Sequence, residues 1–574
     1  MKSLPKNMAL TAAVVLAMAT THQTLAGPDR ETPRYGGTLN VATVFSGLNA
    51  LSFKHYNWPW KTNHDALYMD QLIAGDLDLG PRGANINEYV AFDWIPPEHY
   101  RGELAESWSL EENPLRLVFN IRHGVYWPDK PGVMARRELV ASDITYHFTH
   151  MWTSPRRIPT YWDFIKEWKA EDKYTAVAYL NDFNANWGYR IAWGYFSGIT
   201  PPEVHQLNDN KGSGDWRLMN GTGPYKVVDI RPDDVQAYER NDDYWDQEVI
   251  NGTAHDLPFT DGVTYHIMND EAAQIAAIRT CRIDILESFR WQFADELKNS
   301  APDLIIKKRT SALGTFIALR NDIAPFDDIR VRKAMNLAVN QPEIQAALLN
   351  GDGEVLNYPF SASWPDYYTP IEDLPAETQE LFGYNPEKAK QLLAEAGYPD
   401  GLEFELMFAA VSPYHLDLVA MLEAYYQRIG VTMIAVPLDY PTFRANMREP
   451  DQAVGYLMNN SEGNPFSVLR KSFVSGQTWN PAFHADPWFD KAYDEAITTR
   501  DKGARDELLR KLNTYIITER VPHVWLPTLT IYSAWWPYVK NYYGELRVGA
   551  ARPGPIYARA WIDEDLKREL GCDS

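Results

Sequence analysis

Apolar positions recur along this chain at two spacings, and the spacing separates strands from helices. Near the start, "GGTLNVATV" from Gly36 to Val44 enters on glycines and partly alternates, as a half-buried strand does. "LRLVFNIRHGVYW", Leu115 to Trp127, predicts a hairpin turning near His123-Gly124. Helical spacing takes over in "ASDITYHFTHMW" from Ala141, where Ser142 or Asp143 is placed to cap the first turn. In "YNPEKAKQLLAEAGYPDGLEFEL", Tyr384 to Leu406, Asn385 caps, Pro386 fits the first helical position, and Ala389, Leu392, Leu393 and Ala396 share one face. Gly397 ends that helix and a strand follows from Leu402 to Phe408. The helical run "LDLVAMLEAYYQRIG" and the strand "VTMIAVPLD", Val431 to Asp439, repeat the order and predict an α/β lobe.

"FDDIRVRKAMNLAVNQPEI", Phe326 to Ile344, reads as a capped amphipathic helix. Asp327 is the expected cap, Asp328 favours the positive helix end, and Val331, Met335, Ala338 and Val339 form the buried face. Arg330, Arg332 and Lys333 are expected on solvated or salt-bridging faces, with no catalytic geometry among them.

With 574 residues the chain exceeds one ordinary domain of roughly 100–200 residues. It has no repeat period, low-complexity tract or Gly/Ser linker, so lobes must be read from turns. Hydrophobic residues at 45% and charged residues at 23% fit a soluble globular protein. A formal charge of −22 argues against nucleic acid and anionic membrane surfaces, which need a cationic footprint. The 20 Trp and 33 Tyr supply flat faces with polar handles, suited to a binding cleft as well as to a core.

At the amino end Lys2 and Lys6 precede the apolar stretch Met8 to Met18, and Thr24-Leu25-Ala26 carries small residues where a signal peptidase reads. Residues 1–26 are therefore expected to be a signal peptide, with no cysteine nearby for a lipid anchor, and the periplasm is the simplest destination. The two cysteines, Cys281 and Cys572, permit one disulfide. No G-x-S-x-G, H-E-x-x-H, C-x-x-C or Walker signature occurs, and Pro224 removes a donor that a phosphate cradle would need from "GTGPYK". His147 and His150 stand at helical spacing without further ligands in a metal pattern, so neither metal nor cofactor is expected. A secreted glycan or peptide hydrolase using two separated carboxylates stays open as a rival from another class.

The order F-x-D-x-R-V-R-x-A-x-x-x-A within Phe326 to Ile344 resembles the family 5 extracellular solute-binding proteins, the oligopeptide- and dipeptide-binding class of ABC importers. "LAESWSLEENPLRLVFNIRHGVYWPD", "NGTGPYKV", "IAAIRTCRIDI", the Tyr384 segment and "NPFSVLRKSFVSG" follow in that family's order. The resemblance implies an α/β, two-lobed periplasmic binding protein fold, type II-like, of the large cluster with an extra subdomain, its lobes joined by crossing hinge strands. Lobe 1 would span 27–310 with an inserted subdomain at about 76–205, lobe 2 would span 311–526, and 527–574 would return to lobe 1, with crossings near Arg309 to Thr315 and Val524 to Thr528. It further implies a monomer that closes on an extended polar solute, an oligopeptide first and an oligosaccharide second, and delivers it to an inner-membrane ABC permease without chemistry of its own.

Departures from the family pattern bear on the ligand. Cys281 stands in "RTCRID" where many members have Gly, so that helix end should turn left-handed less readily and a structural use for the thiol gains ground. In "YLMNNSEGNPF" Ser461 falls where peptide binders typically place the Asp that holds the ligand's ammonium, with Glu462 beside it. Either Glu462 substitutes or the ligand lacks a free amino terminus. The expected ligand-binding residues are Tyr56, Trp58 and Trp60 in the loop "HYNWPW", then Met458, Asn459, Asn460, Ser461 and Glu462, with Trp479 and Asn480.

Overall fold

The helix expected after Asn385 runs Pro386–Glu395; the Asn385 carboxamide oxygen accepts from the Lys388 amide at 3.1 Å, and Ala389 and Leu393 are buried. Replacing Asn385 with Ala should cost about 1 kcal/mol, read as a lower denaturant midpoint at unchanged slope. An unmoved midpoint would mean that the cap is idle. The computed structural model containing this helix describes residues 30–44, 67–80, 82–84, 86–90, 94–153, 162–194, 197–210, 215–311, 313–410, 413–447, 449, 453–460, 463–477, 479–550 and 552–572. Among the described residues no helix is long and apolar enough to cross a membrane.

Three sheets organise the chain. The first has seven strands in the spatial order Tyr225–Arg231, Val235–Arg240, Gly262–Ile267, Thr38–Thr43, Ile285–Phe289, Thr530–Trp535 and Ile305–Thr310. The second has five: Val431–Leu438, Leu402–Ala409, Gly455–Asn460, Gly314–Leu319 and His523–Leu526. The chain passes from the first to the second between Thr310 and Gly314 and returns between Leu526 and Thr530. Gly314 is required at the first crossing, because a Cβ there would lie 2.5 Å from Cβ of Tyr358. Each sheet is the centre of an α/β lobe.

A third, antiparallel sheet is inserted into the first lobe, in the order Ala105–Glu112, Leu115–Ile121, Thr175–Leu180 and Ile165–Ala170. Here the expected hairpin is corrected. Leu115–Ile121 pairs with Ala105–Glu112 through the turn at Asn113-Pro114, whereas Tyr126–Trp127 pairs with Arg137–Glu138. Alternation identified the strand, but nothing in it names the partner. The helix Ala141–Trp152 packs on this sheet, and its Asp143 carboxylate reaches back to accept from the Val140 amide at 3.1 Å. Where the insertion springs from the first lobe, Asp70, Glu103 and Arg552 are buried together.

The Phe326 stretch forms the helix Ile329–Leu337, capped by Asp328, which accepts from the Arg330 amide at 2.8 Å, and not by Asp327. Val331, Met335, Ala338 and Val339 are fully buried as expected. Arg332 is not solvated. Its guanidinium donates to the carbonyls of Phe326 (2.6 Å), Asp327 (3.1 Å), Arg520 (2.8 Å) and Val521 (2.8 Å). One turn on, Asn336 donates to the His523 carbonyl at 2.9 Å and accepts from the Trp525 amide at 3.2 Å. The helix thereby satisfies the free edge of the strand His523–Leu526, which would otherwise present unpaired backbone groups.

Cys281 follows the helix Glu271–Arg279 at φ 58°, so the left-handed turn forms although the residue is not glycine. The Arg282 amide closes it on the Ala277 carbonyl at 2.9 Å. Cys281 is bonded to Cys572, with the two Cα atoms 5.3 Å apart, and this ties the final helix Glu564–Glu569 to the back of the first lobe.

Candidate ligand-binding crevice

In each α/β lobe a central strand ends at the crossing. Gly455–Asn460, third of five, runs parallel to Leu402–Ala409 and antiparallel to Gly314–Leu319, so Asn460 lies opposite Gly314 beside the first crossing. Thr38–Thr43, fourth of seven, runs parallel to Ile285–Phe289, which in turn shares its direction with Ile305–Thr310 across the antiparallel Thr530–Trp535. Thr43 and Thr310 therefore lie at the same end of the sheet. Open α/β sheets bind ligands outside the carboxyl ends of their parallel strands, where loops diverge and leave a gap. Both central carboxyl ends border the space between the lobes, and residues 45–66 and 461–462 follow them in sequence. Tyr56, Trp58, Trp60, Ser461 and Glu462 lie outside the described residues.

The other expected site residues divide by what they touch. Asn459 is exposed at the strand end, its amide nitrogen 2.6 Å from Nε2 of His415, which begins the helix Pro413–Arg428. Burial lowers the pKa of His415, outweighing the Ala409 backbone and Asn459 contacts that raise it. Asn460 continues the strand opposite Gly314. Met458 pairs with Phe316 across the strands and is buried in the core below the crevice. Asn480 is also spent internally, donating to the His484 carbonyl at 2.7 Å and accepting from its amide at 3.1 Å. Trp479 is half-buried with two cations over its ring, Arg444 Cζ at 4.2 Å and Lys471 Nζ at 4.4 Å from the centroid. Such cation–π pairs occupy a face that a sugar ring would stack on.

The lobes meet across the crevice. One hydrophobic core joins Leu117, Phe119 and Trp168 of the inserted sheet to Phe316, Tyr456 and Phe466 of the second lobe. The Ala185 amide donates to the Ile497 carbonyl at 2.8 Å, and Asn186 and Arg190 reach the Ser467 hydroxyl at 3.3 and 2.8 Å. Nearer the crossings Trp291 donates to the Leu348 carbonyl at 2.8 Å. This is a closed arrangement.

The profile described as "Bacterial extracellular solute-binding proteins, family 5 Middle" matches residues 99–480. The chain belongs to that family. A family 5 protein is the substrate-binding component of a transporter, and the two-lobed fold agrees with its solved relatives. Heme-binding protein A of Haemophilus influenzae is 25% identical over 450 residues, covering 74% of this chain and 78% of the relative. Di/tripeptide-binding protein 1 of Pseudomonas aeruginosa is 25% identical over 455 residues, covering 75% and 81%. The ABC transporter-associated periplasmic binding protein DppA from Helicobacter pylori, solved with the peptide STSA, has the same fold: TM-score 0.73 at 20% identity over 92% of this chain and 99% of that one. Sequence reading of this family 5 chain passed over Asn186, Arg190 and Ser467. Ser467 sits inside a quoted family-like segment, but its partners are 281 and 277 residues away, and no local spacing signals them.

Proposed function

We propose that this protein is the periplasmic receptor of an ABC importer, capturing an oligopeptide by closure of two lobes and delivering it to an inner-membrane permease without chemistry of its own. In this reading residues 1–26 are the export signal, 27–310 and 527–574 form the first lobe with an insertion at about 76–205, and 311–526 form the second. The observation that carries it is the family 5 match over residues 99–480. Peptide is preferred over oligosaccharide because one relative is named for di- and tripeptides and because two cations stand over the Trp479 ring. Glu462 then takes the ligand's ammonium in place of the usual Asp, and Tyr56, Trp58 and Trp60 contribute from the stretch of sequence that follows the central strand of the first lobe. Ligand contacts to both lobes favour the closed state by their differential affinity.

Native mass spectrometry of the protein as purified tests the ligand class. The expected result is a co-purified mass series spaced by amino-acid residues, and defined peptides should then raise the melting temperature with concentration. Hexose or N-acetylhexosamine spacing would replace the peptide by an oligosaccharide. Product released from peptides or glycans by pure protein would replace the receptor by a hydrolase.

A further inference from the structure

We propose that the Ser467 hydroxyl is the receiving end of a latch that holds the lobes shut before ligand arrives, with Asn186 and Arg190 as its donors. The inference rests on the closure mechanism proposed above and adds a ligand-independent term to it. Asn186 caps the short helix Trp187–Ile191 and Arg190 lies in its last turn, four residues on, so the two project from one face. Both meet the same oxygen, at 3.3 and 2.8 Å, and the preceding Ala185 amide meets the Ile497 carbonyl at 2.8 Å. Three donors from one stretch of the first lobe thus converge on the second.

The acceptor is held in place. Ser467 lies in the first turn of the helix Pro465–Phe473, its own amide donating to the Asn464 cap at 2.8 Å. Asn186, Arg190 and Ser467 are all less than 4% exposed, at 1%, 3% and 0%. A bond from a guanidinium in such a dry setting is charge-assisted and stronger than its surface counterpart. A second interlobe pair, Glu112 with Arg500, is 66% and 44% exposed and contributes little by comparison. The sheets of the two lobes form without the Ser467 contact, so its energy goes into the angle and population of the shut state. Losing one charge-assisted bond should lower the ratio of closed to open molecules about tenfold, and apparent peptide affinity falls as the closed population falls, mainly through faster dissociation.

The test uses full-length Ser467→Ala and Ser467→Thr, with small-angle scattering in the absence of ligand and a melting curve for each. The latch predicts a compact wild type, an expanded Ser467→Ala whose melting temperature is almost unchanged, and a compact Ser467→Thr, which keeps the hydroxyl. Equal radii of gyration for wild type and Ser467→Ala would overturn it, and expansion of Ser467→Thr as well would assign the effect to packing and overturn it too. If wild type and Ser467→Ala are both open alone and both shrink with a tripeptide mixture, closure stands and the latch alone falls. If every variant, Arg190→Glu included, keeps one radius with and without that mixture, the closure mechanism falls with it.

Discussion

Replacing Arg332 with Met should lower stability by about 3–5 kcal/mol, a drop of roughly 10 °C in the melting temperature of a lobe this size. The side chain is 5% exposed and serves four backbone carbonyls, two ahead of its own helix and two at the turn that leads into the strand His523–Leu526. Burial pulls its pKa down to about 10, helped by Arg520 and opposed by Asp328 and Asp327, so the group stays charged at neutral pH. Met matches its volume but leaves all four carbonyls without a donor. Lys keeps the charge but lacks the planar fork, and Arg332→Lys should recover only part of the loss. The check is thermal denaturation of both variants beside wild type. A loss below about 1 kcal/mol for Met would show that water replaces the guanidinium at no cost.

Asp70→Asn should change how stability responds to pH. Asp70 is fully buried; one carboxylate oxygen accepts from Thr222 and Trp245, both at 3.0 Å, and the other is 3.5 Å from Arg552, which also bonds Glu103. Burial first, and then the Glu103 charge, raise its pKa from 3.8 to about 7 against the pull of Arg552, Trp245 and Thr222. A folded pKa above the unfolded one means that the native state holds a proton the unfolded chain has released. The resulting stabilisation is fully present below about pH 4 and is lost as pH rises towards 7. His484, lowered to about 4, and His523, also lowered, act in the opposite sense. Burial keeps both neutral, so their contribution is present above about pH 6.5 and is lost as pH falls. The two slopes overlap and flatten the profile of the whole chain, so the variant must be read as a difference. Relative to wild type, Asp70→Asn should gain about 3 kcal/mol between pH 4.5 and pH 8 in denaturant titrations. Parallel profiles would show that the carboxyl group titrates normally.

What the sequence disclosed is what local spacing encodes. Asn385, Pro386 and the buried Ala389 and Leu393 act as expected, because a cap and an apolar stripe depend only on neighbours within a few turns. The two-lobed α/β fold was legible from the order of family-like segments. Arg332 was misread for a physical reason: Arg332 and Asn336, one turn apart, form a second face at helical spacing, polar in composition yet packed against Arg520, Val521 and the His523 strand. Nothing within the helix distinguishes a cation facing water from one facing carbonyls far along the chain. Trp479 shows the same limit, because counting aromatic rings does not reveal that Arg444 and Lys471 stand over this one.

The bond between Cys281 and Cys572 also makes about half of the chain a ring. Its sequence separation is 291, and the loop it closes contains both crossings and the whole five-stranded sheet. Each passage between lobes is therefore internal to one covalent circle. A single proteolytic cut anywhere between the two cysteines opens the circle without releasing a fragment, so a nicked chain should migrate as one species until the disulfide is reduced, and only then as two.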